Sequence, residues 1–225
     1  MDKTQRIMRC QEFLNADYRE VHALQLRLVE LRRKRELQED ALLLVEHQPV
    51  FTMGRRGGNA SLLVSAEFLK SRGVPVVEIE RGGDMTYHGP GQLVGYPIVS
   101  LKESGWKVVD FVGALEEVML RTAADFGVKA NRDDRNRGVW VGDNKIGSVG
   151  IAIRGGVSYH GFALNVSLAL EPFGWIHPCG LVGVGVTTLE HESGKKITMP
   201  EAMLAARRHI SEVLGVQLTD GGLEL

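Results

Sequence analysis

A cysteine set between proline and glycine is the first residue of this sequence to invite chemistry. Cys179 stands in His177-Pro178-Cys179-Gly180, an irregular segment rather than an apolar run. Lone cysteines are more often small buried hydrophobes than nucleophiles, but this setting favours a reactive thiol. Cys10 lies in an expected strand near the start and reads as the buried kind. Lys145 enters another expected strand, followed by Gly147, Ser148, Val149 and Gly150. There it can reach into a cleft where Gly147, Ser148 and Gly150 leave room for a ligand. Taken alone, a lysine after a turn is more often on the surface. His160 and Gly161 interrupt a good strand pattern, and a strand-interior glycine marks the close approach of a ligand or another backbone. The stretch RGGDMTYHGPGQ, Arg81 to Gln92, is too rich in glycine and proline for any regular element. Gly82 and Gly83 let the backbone approach a ligand or adopt positive φ, and Thr86, Tyr87 and His88 add a hydroxyl, an aromatic surface and an imidazole. Hairpin loops usually run about 2–5 residues, so a loop of about ten points to function rather than connection.

Several chemistries are excluded. The glycine loop lacks the Gly-Lys-Ser/Thr ending of a phosphate-binding loop, and no helix opens after it as in a dinucleotide fold. There is no GxSxG elbow. His88, His160, His177 and Cys179 lack any metal-binding spacing, so no metal is expected.

These residues need a scaffold. The 225 residues carry 27 Lys and Arg against 28 Asp and Glu, a net charge of −1 that argues against a dedicated nucleic-acid binder. Two cysteines are too few for a disulfide framework and fit a reducing compartment. The first residues lack the apolar core of a signal peptide, and no run is long enough to span a bilayer, so no membrane is expected and the cytoplasm is the default. The 27 glycines, about 12% of 225 residues, exceed the average of about 7% and imply tight turns or close backbone contacts. Apolar spacing predicts a helix from Tyr18 to Leu31, capped by Asn15 or Asp17 and ending in Arg32-Arg33-Lys34-Arg35. That basic run suits a helix C-terminus, and a docking patch is the sharper alternative. Further helices are expected at 66–72, from Val108 to Ala123, and from Pro200 to Leu214. Strands are expected at 5–13, 41–46, 50–53, 74–79, 93–101, 139–141, 145–153 and 157–168. NRDDRNRG (131–138) reads as a polar loop and 171–180 as irregular. Elements mix without strict alternation, so the pattern predicts one α+β domain over residues 1–225, with a largely antiparallel or mixed sheet flanked by helices. Three Arg-Gly-Gly copies are irregularly spaced and form no repeat.

RGGDMTYHGPGQLVGYPI (81–98), KIGSVGIAIRGGVSYHGFALNV (145–166) and IHPCG (176–180) together resemble the lipoyl(octanoyl) transferases. The resemblance implies the fold shared by biotin and lipoate protein ligase catalytic domains. It implies transfer of an octanoyl group from octanoyl-acyl carrier protein to a lysine of lipoyl domains, in 2-oxoacid dehydrogenases and the glycine cleavage H protein. It gives Cys179 the role of nucleophile that carries the acyl group as a thioester. It makes Lys145 the residue that lowers the thiol pKa and handles its proton. Substrate binding falls to Arg81, Gly82, Gly83, Asp84, Met85, Thr86, Tyr87 and His88, to Ser148, Val149 and Gly150, and to Gly161, Phe162 and Ala163. No cofactor is implied: a thioester is already activated, so ATP is not needed. An ATP-dependent lipoate or biotin ligase on the same fold is the first alternative, against which Cys179 argues. A non-catalytic module that docks lipoyl domains or RNA is the second. Acyl carrier proteins are acidic as a class, so Arg55, Arg56, Arg132, Arg135 and Arg137 are candidates for steering them.

Overall fold

Strand alternation decides which helix covers each face of the main sheet. In the computed structural model of the chain, residues 6–58, 61–134, 136–176 and 184–223 are described. The order begins β1 (Arg6–Ala16), α1 (Tyr18–Arg33), β2 (Asp40–His47), β3 (Val50–Met53), α2 (Ala66–Ser71), β4 (Val76–Glu78), β5 (Met85–His88) and β6 (Gln92–Ile98). It continues with α3 (Val108–Asp125), β7 (Gly138–Val141), β8 (Asn144–Arg154), β9 (Val157–Asn165), β10 (Gly185–Val186), α4 (Leu189–Ser193), α5 (Met199–Leu214) and β11 (Val216–Asp220). The main sheet runs β10-β8-β9-β6-β2-β1-β11, with β7 also paired to β8, and a smaller sheet runs β4-β3-β5. The pairs among β2, β6, β9 and β8 are antiparallel, whereas β1 runs parallel to both β2 and β11. The sheet is therefore mixed and flanked by helices, as the sequence predicts.

Ala41 to Val45 of β2 form an unbroken apolar run because this strand is buried on both faces. Its Leu42 and Leu44 join Met8, Cys10, Leu93, Phe162 and Leu164 under α3 and α5. Its Ala41, Leu43 and Val45 join Val94, Tyr96 and Ala163 under α1, which brings Tyr18, Val21, Leu24 and Leu28. A third core holds Phe51, Leu69, Met85, Tyr87 and Ile176 around the small sheet.

Caps explain the helix limits. Asp17 caps α1, its carboxylate accepting from Arg19 N at 2.7 Å and Glu20 N at 3.2 Å, whereas Asn15 sits at φ 53° in the irregular end of β1. Thr198 and Glu201 form a capping box on α5, and Gly215 ends it at φ 64°. The basic end of α1 is an internal staple. Arg32 is buried and donates to Asp40 at 3.0 Å and Glu103 at 2.6 Å, tying α1 to the start of β2. Arg33 pairs with Glu30 and Arg35 with Glu103.

Some elements differ from the sequence-based expectation. RGGDMTYHGPGQ holds a strand after all. Met85 and Tyr87 of β5 pack into the third core, and the strand pairs with β3. Apolar alternation and β-propensity outweigh the flanking glycines there. A 3-10 turn, Glu171–Trp175, occupies part of the stretch expected to be irregular. β10, α4 and β11 are additional.

Gly161 shows which kind of close approach its strand position marks. A Cβ there would lie 2.0 Å from Gly95 O on β6, so the crowding partner is a backbone. Gly161→Ala is therefore expected to lose about 1–3 kcal/mol. That lowers the melting temperature by roughly 2–12 °C for a chain of this size. Gly113→Ala, inside α3 with nothing within 4 Å of the new Cβ, is the matched control and should hold or raise stability. Equal melting temperatures for the two variants would refute the crowding argument.

Candidate active site

Two motifs distant in sequence, 81–98 and 145–166, line one cavity of about 480 Å³. β8 gives Ser148, Val149, Gly150 and Ile151, and β9 gives His160, Gly161, Phe162 and Ala163. The segment before and within β5 gives Arg81, Gly82, Gly83, Thr86 and His88, and β6 gives Val94 and Tyr96. Tyr18, Val112, Arg56, Asp134, Asn136 and Arg137 complete the lining. Of the residues singled out in the sequence, Asp84, Met85 and Tyr87 face elsewhere. Met85 and Tyr87 are core residues, and Asp84 accepts from Ser61 Oγ at 2.7 Å, which holds the loop after β3. Gly147 does not open space for a ligand: a Cβ there would meet Met119 Sδ at 2.7 Å and Val139 Cγ2 at 2.8 Å.

Lys145 is 5% exposed, against the expectation for a lysine after a turn. Its Nζ donates to Asn136 Oδ1 at 2.8 Å and stands 5.2 Å from the centre of the Trp140 ring. Trp140 in turn donates from its indole to Asn136 O at 3.3 Å. Asn136 therefore links the lysine to the cavity it lines. Sequence reading missed it inside a polar loop, where only its nearness to Trp140 hints at a role. Cys179 and His177 lie outside the described residues, as does Arg135. The stretch that holds Cys179 is bounded by Ile176, bridged to Leu62, and by β10, where Val186 pairs with Lys145.

A buried polar chain connects the motifs. His88 Nδ1–H donates to Gln92 Oε1 at 2.7 Å, and Gln92 Nε2 donates to Asn165 Oδ1 at 2.9 Å. Asn165 Nδ2 donates to Thr187 O at 3.0 Å, and Thr187 N donates to Lys145 O at 3.0 Å. On the other side of His88, Nε2 accepts from Thr52 Oγ1 at 3.4 Å. Thr52 also fixes Arg81, whose Nη2 donates to the Thr52 carbonyl at 2.7 Å and hydroxyl at 2.9 Å. The glycine-rich segment, β9 and the strand end carrying Lys145 thus share one network.

The buried histidines are held neutral. Burial pushes His88 down to about 3, with His47 and Arg81 adding to the effect. Burial likewise lowers His47 to about 4, although Ala16 O accepts from it at 3.3 Å. Unfolded, these groups would protonate near 6.5. Between that value and the folded pKa the unfolded chain binds more protons, so stability is complete above about pH 6.5 and falls as the pH drops. Each histidine contributes a slope of at most about 1.4 kcal/mol per pH unit. Urea unfolding from pH 7 to 5 should show this loss. His47→Asn, which keeps a donor for Ala16 O, should flatten the slope by about one proton. An unchanged slope in the variant would show that His47 is not the neutral buried base described.

The chain matches the profile of the lipoyl protein ligase A/B catalytic domain over residues 17–211. It is 50% identical over 196 residues to the octanoyltransferase of Desulfotalea psychrophila, covering 86% of this chain and 88% of that one. It is 48% identical over 194 residues to the octanoyltransferase of Syntrophobacter fumaroxidans, covering 86% and 85%. Its fold is similar to that of a bipartite lipoate protein ligase from Thermoplasma acidophilum, with a TM-score of 0.73 at 16% identity over 96% of this chain and 86% of that one. No helix among the described residues is long and apolar enough to cross a membrane.

Proposed function

This chain belongs to the family of lipoyl protein ligase A/B catalytic domains and is an acyltransferase of the octanoyltransferase kind, and on that premise we propose its full reaction. It moves an octanoyl group from octanoyl-acyl carrier protein to a specific lysine of lipoyl domains, through a thioester on Cys179. The acceptors are lipoyl domains of 2-oxoacid dehydrogenases and the glycine cleavage H protein, in the cytoplasm. The whole chain works as one catalytic domain. One observation carries the reading: buried Lys145 is hydrogen-bonded to Asn136, a residue of the cavity that the family motifs line.

Connectivity supports the pairing of Lys145 with Cys179. Val186 pairs with Lys145 in the sheet, and Cys179 precedes Val186 by seven residues, which limits the Cys179–Val186 separation to about 25 Å. Strand pairing thus reduces a separation of thirty-four residues in sequence to a short tether, which supports the pairing. In the first half-reaction the Cys179 thiolate attacks the thioester carbonyl, and the carrier thiolate leaves with a proton from Lys145. In the second, the acceptor amine attacks the acyl-cysteine. The amide forms, the Cys179 thiolate departs, and the amine proton returns to Lys145. A lysine among Asn136 and Trp140 has partners suited to an ammonium. Val94, Val149, Phe162 and Ala163 give the cavity apolar wall for an eight-carbon chain.

The decisive experiment is an intact mass spectrum after mixing with octanoyl-acyl carrier protein, without ATP. Wild type and Cys10→Ala should gain one octanoyl group and complete transfer, and Cys179→Ala should do neither. Cys10 is 1% exposed, burial raises its thiol to about 12, and its Sγ accepts from Arg207 at 3.3 Å. Lys145→Arg keeps a charge but cannot release a proton, so kcat should fall almost as far as in Lys145→Ala, by about 10²–10⁴-fold. An acylated, active Cys179→Ala, or strict ATP dependence, overturns the thioester route. Near-wild-type kcat in Lys145→Arg leaves Lys145 a purely electrostatic role.

Carrier docking follows from the arginines. Arg132 and Arg137 already pair with Glu116, and Arg132 also with Glu117. Arg55 and Arg56 are exposed and form no ion pair with a described residue, and Arg56 lines the cavity. Added salt should raise KM for the carrier protein while leaving a small octanoyl thioester unaffected. Equal salt sensitivity for both donors would sink this docking assignment.

A further inference from the structure

His22 of α1, Glu80 just before Arg81, and His160 of β9 bring their ligand atoms within 4.8 Å of one another. Among the described residues this is the one group of three or more such side chains. Glu80 Oε2 lies 3.1 Å from His22 Nε2 and 3.7 Å from His160 Nε2. A cation holding nitrogen and oxygen ligands tetrahedrally at roughly 2.0–2.1 Å separates them by about 3.4 Å, between those two distances.

His160 gives the second, independent sign. It is 1% exposed, and neither ring nitrogen has a hydrogen-bond partner. A neutral imidazole buried with both its donor and its acceptor unmet is costly, and a metal ion satisfies the acceptor. His22 and Glu80 are partly exposed, which leaves a path from solvent. The neighbouring cations leave Glu80 Oε2 to the histidines. Arg154 approaches the other carboxylate oxygen, Oε1, at 3.5 Å, and Arg81 binds Thr52.

We propose that His22, Glu80 and His160 bind a late first-row divalent cation, with Zn²⁺ the best fit, leaving its fourth position to water. Two imidazoles and one carboxylate select such an ion over Mg²⁺ or Ca²⁺. The ion ties three elements together beside the cavity, because Glu80 precedes Arg81 and His160 is itself part of the wall. This inference rests on the three side chains and not on the acyl-transfer reading. It departs from the sequence-based expectation of no metal, because His22 and Glu80 form no recognisable spacing with His160.

The test is Zn²⁺ titration of the full chain against a chromophoric chelator, with melting temperature followed in parallel. Wild type should bind one equivalent with Kd below about 10 μM. His22→Phe, which keeps the aromatic stack on His160, and Glu80→Gln should each weaken binding by about tenfold or more. Cys179→Ser should bind as wild type does. Co²⁺ should give visible d–d bands without thiolate-to-metal charge transfer. Binding lost in Cys179→Ser assigns the metal to the thiol and overturns the site. Undiminished binding in both His22→Phe and Glu80→Gln, or no stoichiometric binding by wild type, overturns it as well.

Discussion

The cavity depends on the register of one strand pair. Ser148, Val149 and Gly150 of β8 lie directly opposite Ala163, Phe162 and Gly161 of β9. The two halves of the motif 145–166 are therefore cross-strand neighbours. Gly155 and Gly156 set this register, joining Arg154 to Val157 with φ of 56° and 83°. A two-residue turn with both φ positive matches the twist of the strands it connects. A slip of one residue would exchange the two faces of β9, taking Ala163 out of the α1 layer and Phe162 out of the α3 layer. Packing on both sides of the sheet thus fixes the site.

That hairpin also governs Lys145, which begins the same strand. β10 pairs with its end, and Thr187 hydrogen-bonds its carbonyl. From Thr187 the polar chain returns through Asn165 and Gln92 to His88. Each member is buried, so each needs its partner. A disturbance at either end is felt along the chain, because a buried polar group that loses its partner is costly.

Much of this was legible in the sequence where one element carries its own signal. The spacing of Tyr18, Val21, Leu24 and Leu28 marks α1, and the apolar run Ala41–Val45 marks a strand buried on both faces. Elements that exist through a distant partner were not legible. Val216–Asp220 is a strand because it lies parallel to Arg6–Cys10, about two hundred residues away, and Gly185–Val186 because it meets Asn144 and Lys145. The site divides the same way. Glycines and unusual residue types flagged Arg81–His88, Ser148–Gly150 and Gly161–Ala163. Asn136 and Tyr18 carry no such mark, since one sits in a polar loop and the other in the first turn of an amphipathic helix. Arg32 shows the converse: a basic run that invites a docking role holds a buried arginine tied to Asp40.

The proposed cargo explains why the cavity can afford so many polar residues. An eight-carbon chain is poorly served by a wall that carries charge, and His88 and His160 both line this one. Burial lowers His88 well below neutrality, so it presents an uncharged ring at working pH. Arg81 directs its guanidinium at Thr52. Val94, Val149, Phe162 and Ala163 supply the apolar part of the wall, while Arg56, Asp134 and Arg137 line it together with Asn136, which Lys145 meets. The acid sensitivity expected of the fold is the other face of this arrangement. The desolvation that keeps the histidines neutral in the folded chain also lets the unfolded chain bind protons more readily as the pH falls.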